Sequence, residues 1–241
     1  ESIRFLREYR DEPFVLYVNF LEPHMPFTGP RNNQYDPDEI PLPPNFECPP
    51  GRHNHLRAQF NHRRWSRRYA AESDWRRLRA NYWGLCSQVD THAGRILDAL
   101  DELGLTENTI VVFTSDHGDM MGSHQMVAKT VMYQESVRIP LLVRLPGQKR
   151  HQRVKGPVSQ VDVVPSLLEW MGQAVPAHLQ GQSVVTETTT PGGIQRDAVI
   201  EWNGADGTPD ELPEEAASLC TPEEYAEAMR DPVRTIVSPD G

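Results

Sequence analysis

Three short apolar runs, each followed by polar residues, constrain the fold of this sequence more than any other feature. The runs are 13–21 (PFVLYVNFL), 109–114 (TIVVFT) and 139–145 (IPLLVRL). Unbroken β-branched and aromatic runs of this kind are typical of strands buried in a parallel sheet. Between the first two, apolar residues from Leu85 to Leu103 follow three-to-four spacing and predict an amphipathic helix that ends at Gly104. Strands that alternate with helices predict an α/β fold, with a mostly parallel central sheet and helices on both faces.

Shorter elements follow in the second half of the chain. Asp162 at an N-cap position and Gly172 after the last turn predict a short helix between them. Residues 198–202 and 234–237 predict two further strands. The acidic segment 209–231 between those strands predicts a surface excursion with one helix.

Composition excludes several classes of protein. The 241 residues carry a net charge of −10, which argues against nucleic acid as a main partner because phosphate binding requires the opposite sign. No apolar run in the sequence approaches the length of a membrane span, and residues 1–12 contain no apolar signal-peptide core, so the compartment is left open. Three scattered cysteines are too few for a disulfide framework or a clustered zinc site. Since Glu1 replaces a start methionine and the sequence stops after a strand-like run, we expect an internal piece of a longer protein.

Two of the predicted strands end in residues that suit metal binding or acid-base chemistry. The first ends at Glu22-Pro23-His24, and the second at Asp116-His117-Gly118. Ligands collect at the carboxyl ends of strands in open α/β sheets. A carboxylate beside an imidazole, with a glycine that permits a sharp turn, can direct an oxygen and a nitrogen at one cation. For an isolated Asp-His-Gly, a purely structural interpretation, an N-cap aspartate with a hydrogen-bonded histidine, is favoured over metal binding.

The residues around these strand ends resemble a known family. Residues 109–147 (TIVVFTSDHGDMMGSHQMVAKTVMYQESVRIPLLVRLPG) are similar to the metal-binding and sulfate-binding segment of the sulfatase family, in the alkaline phosphatase superfamily. The resemblance extends to LEPHMPF, YWGLCSQVDTHAGRILDALDELGLTENT and VSQVDVVPSLLEWMGQAVPAHLQGQS, and so covers most of residues 13–185. It implies a sulfatase-like α/β fold that is incomplete at both ends. Residues 1–184 would form the C-terminal portion of the catalytic domain, and residues 185–241 the start of a C-terminal region with an acidic insertion.

The resemblance also implies roles for four residues. Asp116 and His117 match metal ligands of the family. The metal is usually Ca²⁺, and otherwise another divalent cation such as Mn²⁺ or Mg²⁺. Many members have asparagine at the position of His117. Lys129 matches the lysine that contacts the sulfate near the bridging oxygen, where a compact positive charge stabilises developing negative charge. His24 matches the histidine that protonates the leaving oxygen. Without the resemblance, Lys129 would be interpreted as a solvated loop lysine. The alternative for His24 is a loop histidine that caps a strand, but its position at a strand end favours function.

Two neighbouring residues have weaker assignments. His124, in GSHQ, is interpreted either as part of a pocket wall or as a structural hydrogen-bonding residue. Asp119 is interpreted as a turn or cap residue. The further metal ligands are expected elsewhere in the protein, because a hard cation needs more than two ligands.

Cys48 begins a C-x-P-x-R pattern that resembles the signature for conversion of cysteine to formylglycine. Family nucleophiles lie before the His-x-Pro-Phe segment and open a helix, whereas Cys48 follows His24 within a proline-rich loop, 25–55. We therefore expect Cys48 to be coincidental. We also expect the nucleophile and two further metal-binding aspartates to precede Glu1, so that this fragment alone is inactive.

Three functions remain open at this point. The first is hydrolysis of small-molecule or glycan sulfate esters by the parent protein. The second is hydrolysis of phosphonates or phosphodiesters, because the same superfamily handles similar tetrahedral anions. The third is a non-catalytic protein that binds sulfated glycans through the arginine-rich run 57–79, although a solvated helix face is the simpler interpretation of that run. The natural substrate is not encoded in any pattern, since loops such as 28–80 set specificity.

Overall fold

The computed structural model of the protein describes residues 1–189, 192–204 and 212–239. The helices are α1 (Ser2–Glu8), α2 (Leu56–Arg68), α3 (Glu72–Glu102), α4 (Gln134–Val137), α5 (Val163–Trp170), α6 (Val185–Thr189) and α7 (Pro222–Arg230). Short 3₁₀ turns occupy Pro37–Glu39, Thr106–Asn108, Ser123–Gln125 and Gln160–Asp162. The strands are β1 (Val111–Thr114), β2 (Leu141–Arg144), β3 (Ala198–Trp202) and β4 (Val233–Val237). No helix among the described residues is long and apolar enough to cross a membrane.

The chain divides into two compact units. The first comprises Glu1–Lys149 with Glu211–Tyr225, and the second comprises Arg150–Asp210 with Ala226–Gly241. All four candidate site residues lie in the first unit. The predicted division after residue 184 stays a prediction.

Helix α3 is the long element of the first unit, and it confirms the predicted amphipathic helix. Its side chains Trp75, Leu78 and Leu85 are buried in a cluster with Phe27 and Phe46 of the proline-rich loop. Near its C-terminus, Ala99 and Leu100 pack against Leu6 of α1. The buried face of α3 therefore anchors the loop that begins near His24.

The end of α3 lies where the sequence predicts it. The Leu105 amide donates to the Leu100 carbonyl at 2.9 Å, and the Gly104 amide donates to the Asp101 carbonyl at 3.1 Å. Gly104 has a φ of +70°, a left-handed conformation that glycine adopts without steric cost. This hydrogen-bond pattern is a Schellman motif, which turns the chain toward β1.

Strands β1 and β2 confirm two of the predicted apolar runs but not the predicted strand direction. They pair antiparallel, with Val111 opposite Arg144 and Thr114 opposite Leu141. A parallel pair needs a crossover that carries the chain back along the sheet. Residues 115–140 instead return at the end where β1 stops, and the short helix α4 does not span the sheet. The mostly parallel sheet is thus not confirmed among the described residues.

The first apolar run, 13–21, was wrongly predicted as a strand buried on both faces. Its residues have no regular secondary structure and alternate in exposure, and the run has no strand partner among the described residues. Phe14 and Leu16 pack against the Leu6 cluster, whereas Val15 and Tyr17 are 88% and 87% exposed. Only one face of the run is covered within the described part of the chain. The prediction failed because the composition of a run does not reveal which neighbours cover it.

Two of the remaining predicted elements, β3 and β4, lie in the second unit, whereas α7 begins in the first. Strands β3 and β4 pair antiparallel, from Ala198 opposite Val237 to Trp202 opposite Val233. Helix α7 confirms the helix predicted in the acidic segment, of which residues 209–211 lie outside the described residues.

Asp162 occupies the predicted N-cap position of α5, but its carboxylate does not cap the helix. The carboxylate is 5% exposed and accepts hydrogen bonds from the Ser159 and Gln182 amides at 3.1 and 2.8 Å. It also forms a 2.9 Å ion pair with Arg196. Asp162 therefore connects three separate segments of the second unit, because its buried charge requires several donors.

Candidate active site

His24 and Lys129 are 105 residues apart in sequence, and the fold brings their side chains into hydrogen-bond contact. The Lys129 Nζ lies 3.2 Å from the His24 Nε2. The His24 Nδ1 lies 2.7 Å from the Met25 carbonyl oxygen, which can only accept, so Nδ1 carries the proton. Nε2 of the neutral imidazole then accepts a hydrogen bond from Lys129. His24 is exposed and Lys129 is half-buried, so this pair is open to a ligand.

Asp116 and His117 follow β1 and lie next to each other. The Asp116 Oδ2 is 3.5 Å from the His117 Nε2, and Asp116 is 84% exposed. The His117 Nδ1 lies 2.7 Å from the Gly118 carbonyl oxygen, and this acceptor fixes the proton on Nδ1. Nε2 faces a carboxylate oxygen, so this nitrogen and this oxygen could bind one cation together.

This pair fits part of a divalent-metal site. A carboxylate oxygen and an imidazole nitrogen held in a fixed tautomer are ordinary ligands of divalent cations. Within the described ranges, no group of three or more histidine, cysteine, aspartate or glutamate side chains could hold a metal ion. The geometry of Asp116 and His117 is compatible with two ligands of a larger set, and their role as metal ligands stays a prediction.

Asp119 lies between the two pairs and confirms its predicted role as a turn residue. Its Oδ1 accepts hydrogen bonds from the Met121 and Ala128 amides at 3.2 and 2.8 Å. Burial raises the pKa of Asp119, whereas these two hydrogen bonds and the charges of Lys129 and His117 oppose the rise. One residue of each candidate pair, Lys129 and His117, thus lies within electrostatic range of the half-buried Asp119 carboxylate.

The loop 119–130, which carries Lys129, is held in an unfavourable backbone conformation. The non-glycine residues with positive φ are Met121 (39°), His124 (55°), Gln125 (55°), Ala128 (69°) and Thr130 (77°). Each such residue costs on the order of 1 kcal/mol or more and persists only where its surroundings hold it in place. Strain of this kind is concentrated at functional sites, and here it surrounds Lys129.

His124 is a structural hydrogen-bonding residue, one of the two roles predicted for it. Its Nδ1 donates to the Cys48 carbonyl at 2.6 Å, and its Nε2 lies 3.1 Å from the Asn45 Nδ2. The same Asn45 nitrogen donates to the Glu135 carboxylate at 2.7 Å. Burial lowers the pKa of His62, whose Nδ1 donates to the His124 carbonyl at 3.0 Å. The sequence gives no signal for Asn45, His62 or Glu135, because no motif spacing connects them.

Cys48 lies in an exposed turn and has a free thiol. The residues after it do not open a helix, since α2 begins only at Leu56. This matches the expectation that Pro49 and Pro50 do not begin a nucleophile-bearing helix. The local structure of Cys48 thus differs from the context predicted for a formylglycine precursor.

The arginine-rich run is more constrained than a solvated helix face. Arg57 is 6% exposed, and Arg79 donates to the Met121 carbonyl at 2.6 Å. Arg63 donates to Ser218, and Arg67 lies 3.8 Å from the Glu214 carboxylate. Part of the acidic segment therefore contacts α2 through one exposed ion pair and one hydrogen bond. Only part of the run behaves as the predicted solvated face, with Arg64 and Arg68 exposed and lying over the ring of Trp65.

Comparison with known proteins identifies relatives of the whole site region. The Sulfatase family model matches residues 1–173. The multifunctional alkaline phosphatase superfamily protein PehA of Trinickia caryophylli is 33% identical over 200 residues, which are 76% of this chain and 39% of that protein. Arylsulfatase K of Mus musculus is 41% identical over 115 residues, which are 48% of this chain and 21% of that protein.

The chain is also similar to solved structures of hydrolases. The phosphonate monoester hydrolase SpPMH from Silicibacter pomeroyi is 25% identical and superposes with a TM-score of 0.77, over 100% of this chain and 53% of that chain. The chain thus spans about half, or less, of the length of these relatives. The chain belongs to the sulfatase family and has the α/β fold of the alkaline phosphatase superfamily.

Proposed function

We propose that the protein containing this chain hydrolyses sulfate esters, and that this chain supplies part of its metal site and of its sulfate-binding site. The observation that carries the proposal is the 3.2 Å contact between His24 and Lys129. The chain holds a general acid in contact with a compact cation, and it also holds a carboxylate–imidazole pair, which together form the combination that cleavage of an anionic ester requires. Family membership supports these roles, because matching residues carry them in sulfatases.

Lys129 and His24 have complementary tasks in the proposed reaction. The Lys129 ammonium binds the sulfuryl oxygens and stabilises the charge that they gain in the transition state. The His24 imidazolium donates its Nε2 proton to the ester oxygen as the S–O bond breaks and the alcohol departs. The Nδ1 hydrogen bond to Met25 keeps the ring oriented throughout.

The contact between Lys129 and His24 gives way to contacts with the substrate in the proposed complex. Without a ligand, the Lys129 ammonium donates to the His24 Nε2. A sulfate ester bound between the two side chains would accept a hydrogen bond from each of them, because its oxygens carry negative charge.

Sulfatases generally depend on a divalent metal, and we propose Ca²⁺ for this protein, with Mn²⁺ or Mg²⁺ as alternatives. Asp116 and His117 would hold the cation together with ligands from other residues, and its charge would stabilise the substrate oxygens. The nucleophile is proposed to be a formylglycine in another part of the polypeptide. Cys48 takes no part in the reaction.

Phosphonate monoester hydrolysis is the second candidate function. It is favoured by the superposition of the whole chain on SpPMH with a TM-score of 0.77. Sulfates and phosphonates are tetrahedral anions that the same lysine, histidine and metal ligands can bind. Fold similarity alone does not choose between them.

Relative turnover of two matched esters by the full-length protein decides between these functions. The substrates are p-nitrophenyl sulfate and the p-nitrophenyl monoester of phenylphosphonic acid, which share one leaving group. A larger kcat/KM for the sulfate is expected. A larger value for the phosphonate would replace the first proposal with the second, and turnover of neither would contradict both.

A further inference from the structure

All four polar groups of His124 bind residues that are distant in sequence. Its backbone amide donates to the Asn45 carbonyl at 3.2 Å, and its carbonyl accepts from the His62 Nδ1 at 3.0 Å. Its ring contacts the Cys48 carbonyl oxygen at 2.6 Å and the Asn45 Nδ2 at 3.1 Å. The ring also packs against Tyr133, with 4.3 Å between ring centroids. One residue thus joins the loop 119–130 to both the proline-rich loop 25–55 and helix α2.

The direction of each hydrogen bond in this network is fixed. The Cys48 carbonyl only accepts, so His124 Nδ1 carries the proton and Nε2 accepts from Asn45. The Asn45 Nδ2 uses its second hydrogen for the Glu135 carboxylate at 2.7 Å. The Asn45 Oδ1 is buried without a hydrogen-bond partner, which is the cost of holding the amide in this orientation. Because the donor and the acceptor of each hydrogen bond are fixed, this network favours one arrangement of the loop 119–130 over alternatives.

The backbone of His124 shows that this arrangement has to be held. His124 and Gln125 both have a φ of 55°, and Ala128 and Thr130 beside Lys129 have values of 69° and 77°. Such conformations are disfavoured for non-glycine residues and relax when their contacts are removed. The contacts of His124 are therefore able to determine where the following residues, including Lys129, lie.

We propose that His124 is a positioning residue for the proposed hydrolysis. It joins the loop of Lys129 to the proline-rich loop that begins beside His24, and so sets the 3.2 Å contact between those two side chains. His124 touches neither the substrate nor the metal, and it acts only through the placement of Lys129. This inference rests on the proposed function for its catalytic consequence but not for its structural one.

The catalytic consequence is tested in the full-length protein with His124→Ala. The variant lowers kcat by about tenfold or more while KM changes less than about threefold, because misplacement of a transition-state contact by about 1 Å is costly. His124→Asn restores kcat to within about threefold of wild type, since asparagine tolerates positive φ and can donate to the Cys48 carbonyl. His92→Ala, at an exposed position of α3, is the matched control and leaves both constants unchanged.

A second background separates positioning from general destabilisation. Once Lys129 is replaced by alanine, His124→Ala lowers kcat by less than about twofold further, because the group that it positions is gone. Equal losses in the wild-type and Lys129→Ala backgrounds would overturn the proposal. If His124→Ala fails to fold, His124→Gln takes its place in both backgrounds, because it keeps an acceptor near the Nε2 position.

Hydrogen exchange tests the structural consequence without reference to activity. In His124→Ala, the amides of Met126 and Ala128, which donate to Ser123 and Asp119, exchange at least about tenfold faster than in wild type. Unchanged exchange at these two amides would overturn the positioning role. If the wild-type protein hydrolyses neither ester, the proposed function fails, whereas faster exchange would still establish that His124 holds the loop.

Discussion

Gly118 is the position in the candidate site where one added methyl group has the largest predictable effect. A Cβ at residue 118 would lie 2.0 Å from the Glu135 carbonyl oxygen and 3.0 Å from the Glu135 carbonyl carbon. Both atoms belong to the backbone, so no change of rotamer relieves the clash. Residue 118 would have to move by about 1 Å to bring the 2.0 Å contact to even 3.0 Å. This movement would also strain the 2.8 Å hydrogen bond from the Gly118 amide to the Ser136 carbonyl.

We therefore expect Gly118→Ala to lower the free energy of unfolding by about 2–4 kcal/mol, from overpacking and one weakened hydrogen bond. Because His117 is the preceding residue, kcat of the full-length protein should fall by about 100-fold. Urea unfolding and turnover of p-nitrophenyl sulfate measure the two effects. Gly94→Ala is the matched control: no atom lies within 4 Å of its added Cβ, and helix α3 should gain up to about 1 kcal/mol. Wild-type stability and turnover in Gly118→Ala would refute the reasoning.

Three further predictions concern other parts of the network. Asp162→Ala should lower the free energy of unfolding by about 3 kcal/mol, because the Ser159 and Gln182 amides lose their acceptor, while Arg196 keeps its ion pair with Glu187. The exposed control Asp98→Ala should change it by less than about 0.5 kcal/mol, and equal effects in urea unfolding would contradict the role of Asp162. Burial alone would raise the pKa of Glu135, but hydrogen bonds, including that from Asn45, hold it below 4.5, so its contribution to stability is present above that pH and lost below it. The stability advantage of wild type over Glu135→Gln should accordingly stay constant from about pH 7 to about pH 5 and shrink as the pH falls below 4.5. An advantage that does not change with pH would argue against this. Cys48→Ala should keep turnover within about twofold of wild type, and loss of turnover at unchanged stability would show that its thiol takes part.

Elements defined by local patterns were predicted well. The period of apolar residues identifies α3, and Gly104 ends it through hydrogen bonds that involve only neighbouring residues. The apolar runs at β1 and β2 were likewise placed within a few residues of the observed strands. These predictions succeed because the signal and the structure that it specifies lie within about two turns of the chain.

Features that depend on distant partners were not predicted from pattern alone. The antiparallel direction of β1 and β2 depends on the path of residues 115–140, which carries no periodic signal. The exposure of Val15 and Tyr17 depends on which residues cover the run 13–21. Composition records that a residue is apolar, and it does not record what lies against it.

The candidate site likewise combines features that the local sequence determines with features that depend on distant partners. Asp116 and His117 are adjacent in sequence, so their proximity needs no fold. The contact of His24 with Lys129 crosses 105 residues and was expected only from the resemblance to a family. Asn45 was not predicted at all, because its role comes from simultaneous contacts with His124 and Glu135.

Metal dependence of aryl sulfate hydrolysis tests the assignment of the site most directly. The full-length wild type and Asp116→Ala are each treated with EDTA, and p-nitrophenyl sulfate turnover is followed as Ca²⁺ is added back. We expect wild type to lose activity on chelation and to regain it with Ca²⁺, and Asp116→Ala to stay inactive at Ca²⁺ concentrations that saturate wild type. A wild type that remains fully active without metal, or an Asp116→Ala variant with the wild-type response to Ca²⁺, would contradict the placement of the metal at Asp116 and His117.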